Sequence, residues 1–157
     1  IPTLVRVQNR GSIYETLCFG ITCYFAKGLV SAMELIIGKS ENLSSYSGYI
    51  DGDTTFVEMI KEEVRKYVAA GEEVIIMTDI FGGSVNNELT ELITLPNVHL
   101  ITGVNLILAM SVILNDGQDD PSSFIPRLIE EAKEGMMYCN MLSQNTNNTS
   151  EDSLDEF

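Results

Sequence analysis

The chain has 157 residues, 45% hydrophobic and 20% charged. That fits one globular domain long enough to bury a core, and it excludes a fibrous or wholly disordered chain. Nine basic against twenty-three acidic side chains leave a net charge of −14, which repels nucleic acid and anionic membranes and favours a basic partner face.

Residues 1–23 show no clear strand pattern. Arg6 and Arg10 precede an apolar stretch that Glu15 interrupts, with no small-residue cleavage site, so a secretory leader is not indicated. From Tyr24 onward, helical and strand periods alternate. Phe25, Leu29, Ala32, Met33, Ile36 and Ile37 recur at three- and four-residue steps and predict a first helix stopped by Gly38. A strand is expected near Leu43 to Ile50. Asp53 then caps a second helix with Phe56, Met59, Ile60, Val64 and Val68 inside. Glu58, Lys61, Glu62, Arg65 and Lys66 form its solvated side.

Gly71 ends that helix, and Val74-Ile75-Ile76-Met77 reads as a strand covered on both faces. Thr78-Asp79 closes it. A Gly82-Gly83 turn leads into a third helix through Leu89, Leu92 and Ile93, followed by Pro96 and a second buried strand, Val98 to Thr102. Beyond Gly103, helices are expected over Asn105 to Leu114 and Ser122 to Lys133, the latter stopped by Gly135. Met136 to Leu142 suits a short last strand, and residues 143–157 form an acidic tail without periodicity, expected to be disordered. Leu100 to Leu114, the longest apolar stretch, is too short to span a bilayer and contains Thr102, Asn105 and Ser111. Cys18, Cys23 and Cys139 make neither a disulfide framework nor a metal-spaced set, which fits a reducing, cytoplasmic compartment.

Strands alternating with helices of this length predict an α/β fold: an open, mostly parallel, doubly wound sheet with helices on both faces. Ligands of such sheets sit at the carboxyl ends of the strands, where strand order reverses. Asp79 and the Gly82-Gly83-Ser84 turn therefore form one edge of a candidate site, and Thr102, Gly103 and Asn105 form another. At a strand end, Asp79 can either orient a neighbouring imidazole or cap its own turn. Gly82 and Gly83 let backbone amides approach a phosphoryl group. Neither GxxxxGK[ST] nor GxGxxG occurs, which disfavours a nucleotide-binding enzyme; no metal or cofactor is implied. His99, the only histidine, lies between Val98 and Leu100 in a strand, and a structural role is expected for it.

Three segments in this order carry a resemblance: Tyr24-Phe25-Ala26-Lys27-Gly28-Leu29, Thr78-Asp79-Ile80-Phe81-Gly82-Gly83-Ser84, and Thr102-Gly103-Val104-Asn105-Leu106. Together they make residues 24–142 similar to the mannose-type enzyme IIA family of the bacterial sugar phosphotransferase system. The resemblance implies a phosphoryl relay from HPr to enzyme IIB through a histidine on the loop after the first strand. The membrane components IIC and IID are reached only indirectly. It further implies that Asp79 hydrogen-bonds that histidine, and that the protein is a homodimer exchanging its last strand, here residues 136–142.

The family's Ser-His-Gly aligns with Ile21-Thr22-Cys23, which puts Thr22 at the acceptor position. A threonine hydroxyl is no phosphoryl carrier without an activating base. Ser84-Val85 and Leu106-Ile107 also depart from the family's Thr-Pro and Leu-Pro. The genetic code offers a cause for the first departure. Gly20-Ile21-Thr22-Cys23 can be encoded by GGC ATC ACA TGC, and one restored G gives Ala-Ser-His-Gly in the next frame. Tyr14-Glu15-Thr16 as TAT GAA ACN contains ATG AAA, a start codon and a lysine. Residues 1–23 are accordingly read as upstream sequence and first strand translated out of frame. The rival readings are a histidine-free regulatory IIA homologue and a dihydroxyacetone kinase phosphotransfer subunit. A response-regulator receiver needs an acidic pair after the first strand and a lysine after the last, and neither is recognisable here.

Overall fold

A strand that is apolar at every position needs cover on both faces of its sheet. Val74, Ile75, Ile76 and Met77 have it in the computed structural model, which describes residues 14–20, 24–38, 43–47, 55–115 and 119–141. All four are fully buried. Ile75 and Met77 pack on one side against Leu29, Met33, Leu108 and Phe124, while Val74 and Ile76 pack on the other against Val57, Ile60, Val64 and Leu89.

These residues belong to β3 (Glu73–Thr78), which lies between β1 (Tyr14–Gly20) and β4 (Val98–Thr102), with β2 (Leu43–Ser47) outside β1. All three pairings are parallel. Helices α1 (Phe25–Ile37), α4 (Leu106–Leu114) and α5 (Pro121–Glu134) cover one face. The other is covered by α2 (Thr55–Ala69), α3 (Ser84–Leu89) and a 3-10 turn, Thr90–Thr94. The result is the expected three-layer, doubly wound arrangement. Successive crossovers run outward in opposite directions from β1 and β3, so strand order reverses between those two strands and opens a crevice at their carboxyl ends.

Local chemistry sets the element ends. Gly71 and Gly103 take φ of 80° and 78°, conformations that stop a helix and a strand without a side-chain penalty. Asn105 caps α4 by accepting the Leu108 amide at 2.9 Å. Asp120 caps α5 by accepting the Ser122 amide at 2.7 Å and its hydroxyl at 2.6 Å. Pro121 follows in the first helical position, where its missing N–H costs nothing.

Several expectations need correction. The inner face of α1 is Ala26, Leu29, Val30 and Met33, whereas Phe25 and Ile36 are exposed. The chain there is apolar on more than one side, so periodicity alone does not single out the buried stripe. Along α2, Val57 is buried and Met59 exposed. Lys61 is not on the solvated side: it is 7% exposed and pairs with Glu91 at 3.1 Å and Glu58 at 3.4 Å. Desolvation draws its pKa down, but the hydrogen bonds and charges of Glu91 and Glu58 outweigh that and hold it above the ordinary lysine value.

The third helix is a short α3 followed by the 3-10 turn, with Leu92 buried and Ile93 exposed. β4 is an edge strand, and His99, Leu100 and Thr102 are only partly buried. Residues 136–141 form no strand within the chain; Met141 instead donates its amide to the Tyr138 carbonyl in a turn. Met136, Met137, Tyr138 and Met141 are all more than half exposed. Asp53, Thr22, Cys23 and the tail 143–157 lie outside the described residues.

Candidate functional site

Asp79 follows β3 directly and is partly buried at the carboxyl end of the sheet. Its Oδ1 accepts the Ile80 amide at 2.8 Å, which holds the carboxylate against the turn that follows. Gly83 donates its amide to the Ile80 carbonyl at 3.3 Å, and Gly82 adopts φ of 75°, the left-handed conformation this turn requires. Ser84 then opens α3, with Gly83 as its N-cap.

The turn is tied to the sheet by a buried polar chain. Gly82 donates its amide to Asn86 Oδ1 at 3.2 Å, and Asn86 Nδ2 donates to Thr78 Oγ1 at 3.0 Å. Thr78 Oγ1 donates in turn to the Ile101 carbonyl at 3.4 Å, and the Thr78 carbonyl accepts the Val104 amide at 3.0 Å. Thr78 is fully buried and Asn86 is 3% exposed, so these groups find in one another the partners that water would otherwise supply.

The same bonds bring the two predicted edges of the site together. Thr78 and Thr102 are register partners on β3 and β4, and the Val104 amide links the Gly103–Asn105 loop to Thr78. Thr102 Oγ1 is buried at this end of β4 without a hydrogen-bond partner among the described residues. Phe25, Gly28 and Leu29 of α1, with Val104, Asn105 and Leu106 after β4, line an open, mainly apolar cavity of about 430 Å³. Ile80 and Phe81 project from the turn, 59% and 82% exposed.

Sequence reasoning placed Asp79, Gly82, Gly83 and Ser84 on one turn, but it missed Asn86 and the bonding of Thr78. The one available signal for Asn86 was an amide residue on the first turn of a helix after a Gly-Gly bend. The phosphate-facing amides expected at Gly82 and Gly83 are both engaged, Gly82 with Asn86 Oδ1 of α3 and Gly83 with the Ile80 carbonyl. Thr22 falls outside the described residues.

His99 is elsewhere. It pairs in register with Ile75, near the amino end of β3, and its Nε2 lies 3.0 Å from Glu73 Oε2. At a rise of about 3.3 Å per residue, Ile75 and Asp79 are separated by about 13 Å along the strand. The chain's single imidazole therefore sits at the opposite end of the sheet from the candidate site. Among the described residues, no three His, Cys, Asp or Glu side chains gather in a metal-binding group, and no helix is long and apolar enough to cross a membrane.

Residues 23–122 match the family model described as the fructose IIA component of the sugar phosphotransferase system. A solved structure from Klebsiella pneumoniae, described as a proposed phosphoenolpyruvate-dependent sugar phosphotransferase system permease, is 30% identical. The match covers 85% of this chain and 96% of that one, with a TM-score of 0.74. The IIA protein associated with the fucose utilization operon of Streptococcus pneumoniae is 20% identical over 83% of this chain and 98% of its own, with a TM-score of 0.69. Phosphotransferase component EIIA from Streptococcus agalactiae is also 20% identical, over 82% and 98%, with a TM-score of 0.71. The two streptococcal likenesses bear on the fold alone. No curated protein matches the chain.

Proposed function

Because the chain belongs to the fructose IIA component family of the sugar phosphotransferase system, we propose that it descends from a phosphoryl relay between HPr and enzyme IIB and lacks that relay's acceptor histidine. The observation that carries this reading is the position of His99, which is bonded to Glu73 at the far end of the sheet from Asp79. With Thr22 at the acceptor position, the chain as written holds no phosphoryl group.

In the relay, an imidazole nitrogen at position 22 attacks the phosphorus carried by HPr. One N–P bond forms as the other breaks, and the same exchange passes the group on to enzyme IIB. Such transfer depends mainly on alignment and charge stabilisation. Asp79 orients the imidazole, Ser84 faces the phosphoryl group at the end of a turn shaped by Gly82 and Gly83, whose amides are bonded to Asn86 and Ile80, and Thr102, Gly103 and Asn105 make the opposite wall. Register supports this placement: carried on from Cys18 opposite Met77, it sets Gly20 level with Asp79, and Thr22 follows shortly after in the sequence. The net charge of −14 suits basic partner faces.

Two observations support a frameshift as the cause. The family match begins at residue 23, at the point where the lost nucleotide is placed. β1 also lies inside the sheet, between β2 and β3, where parallel strands read as apolar runs, yet its sequence is Tyr-Glu-Thr-Leu-Cys-Phe-Gly. Shifted by one base, the codons for these residues admit Met-Lys followed by Leu, Phe or Tyr, Val, Leu and Ala. That is the apolar strand the position calls for.

The test is incubation with enzyme I, HPr and phosphoenolpyruvate, read by intact mass. The chain as written stays unmodified and Thr22→His gains one phosphoryl group; an adduct on the unaltered chain overturns the proposal. Sequencing codons 14 to 24 decides the frameshift. Should the frame prove intact as written, the scaffold without its acceptor favours the second reading, a regulatory IIA homologue that binds enzyme IIB without phosphorylation. The exposed Met136, Met137, Tyr138 and Met141 support a homodimer that covers the C-terminal segment, which sedimentation would detect.

A further inference from the structure

Building on the relay reading, we infer that Asn86 is a positioning residue for Asp79, acting by fastening both ends of the turn that carries the carboxylate. Asn86 is 3% exposed, and a buried amide is costly unless both its halves are bonded. Its Nδ2 reaches Thr78 Oγ1 at 3.0 Å, on the residue before Asp79. Its Oδ1 accepts from Gly82 at 3.2 Å, where the turn closes.

Neither anchor can drift on its own. Thr78 is also bonded to the Ile101 carbonyl and the Val104 amide. The Gly82 carbonyl accepts from Asn87 Nδ2 at 3.0 Å. Between these fixed ends, the bond from the Ile80 amide to Asp79 Oδ1 at 2.8 Å converts backbone position into carboxylate direction. Removing the Asn86 amide leaves the Gly82 N–H without its partner and loosens the carboxyl end of the turn, which then keeps its bonds to Asn87 and Ile80. The carboxylate then loses its fixed bearing on the crevice, and phosphoryl transfer is sensitive to displacements of about 1 Å.

The test reads amide hydrogen exchange by NMR in the full chain and in Asn86→Ala. The Gly82 amide is expected to exchange at least ~10-fold faster, and the Ile80 amide at least ~3-fold faster through the loosened turn. Faster exchange at Gly82 with Ile80 unchanged means a merely local bond and overturns the inference. Thr78→Val, nearly isosteric, serves if Asn86→Ala does not fold: it removes one anchor only, and an Ile80 amide unaffected by it is again a refutation. A second arm uses Thr22→His, in which adding Asn86→Ala slows transfer from HPr by ~10-fold or more; an unchanged rate refutes the positioning role. If Thr22→His accepts no phosphoryl group at all, the relay reading fails, and the exchange arm alone decides the role of Asn86.

Discussion

His99 Nε2 and Glu73 Oε2 lie 3.0 Å apart across β3 and β4, with side chains only 20% and 23% exposed. The pair joins the amino ends of two strands whose carboxyl ends carry the candidate site. His99→Gln should therefore lower stability by about 1 kcal/mol, the scale of one partly buried hydrogen bond. It should leave the binding of phosphotransferase partners unchanged. Urea unfolding and a binding titration check the two halves of this prediction; a binding loss larger than the stability loss would contradict the placement.

Glu91 accepts from two cations of α2, Lys61 at 3.1 Å and Arg65 at 3.4 Å, and so ties the 3-10 turn to that helix. Glu91→Gln should cost about 1 kcal/mol, because Lys61 keeps only Glu58 while the exposure of both carboxylates limits the loss. The pKa of Lys61 is raised in the folded state, so its contribution is complete below the ordinary value of 10.5 and fades as pH rises through the higher folded value. Urea midpoints of the parent and Lys61→Met should accordingly keep a constant difference from pH 8 up to the ordinary lysine value of 10.5 and draw together only above it.

Asp120 caps α5 through the Ser122 hydroxyl and amide, and these bonds lower its carboxyl pKa below the ordinary value of 3.8. A depressed carboxylate adds stability above its unfolded pKa and loses it as pH falls through the folded one. Asp120→Ala should lower the urea midpoint at pH 7, with the difference from the parent shrinking at acid pH. A gap that stays constant down to pH 2 would show that the cap does not act through its charge.

Two glycines predict opposite causes of strain. Gly82 has φ of 75°, and beyond its chain neighbours no atom of the described residues lies within 4 Å of an added Cβ, so Gly82→Ala should cost about 1 kcal/mol from backbone conformation alone. Gly135 has an ordinary φ of −71°, but its added Cβ would meet Ile107 Cδ1 at 2.5 Å. Ile107 is 47% exposed and can swing away, so Gly135→Ala should stay within about 0.5 kcal/mol of the parent. Thermal unfolding ranks the two.

The order of elements from α1 to α5, their parallel sheet and the turn at Asp79 were legible in the sequence, because periodicity, glycine stops and caps act within a few residues of chain, whereas β1 showed no strand pattern and the strand expected at 136–142 is absent from residues 136–141. The unbroken apolar run of β3 implied its burial on both faces. The same local rules misread Lys61, whose burial depends on Glu91 arriving from another element, and they could not rank the sides of α1, apolar on more than one side. Nor could they show that Asn86 reaches back to Thr78, that His99 faces Glu73, or that β4 lies at the sheet edge. Each of these depends on which segments become neighbours once the sheet assembles, and a distance through space is not encoded by spacing along the chain.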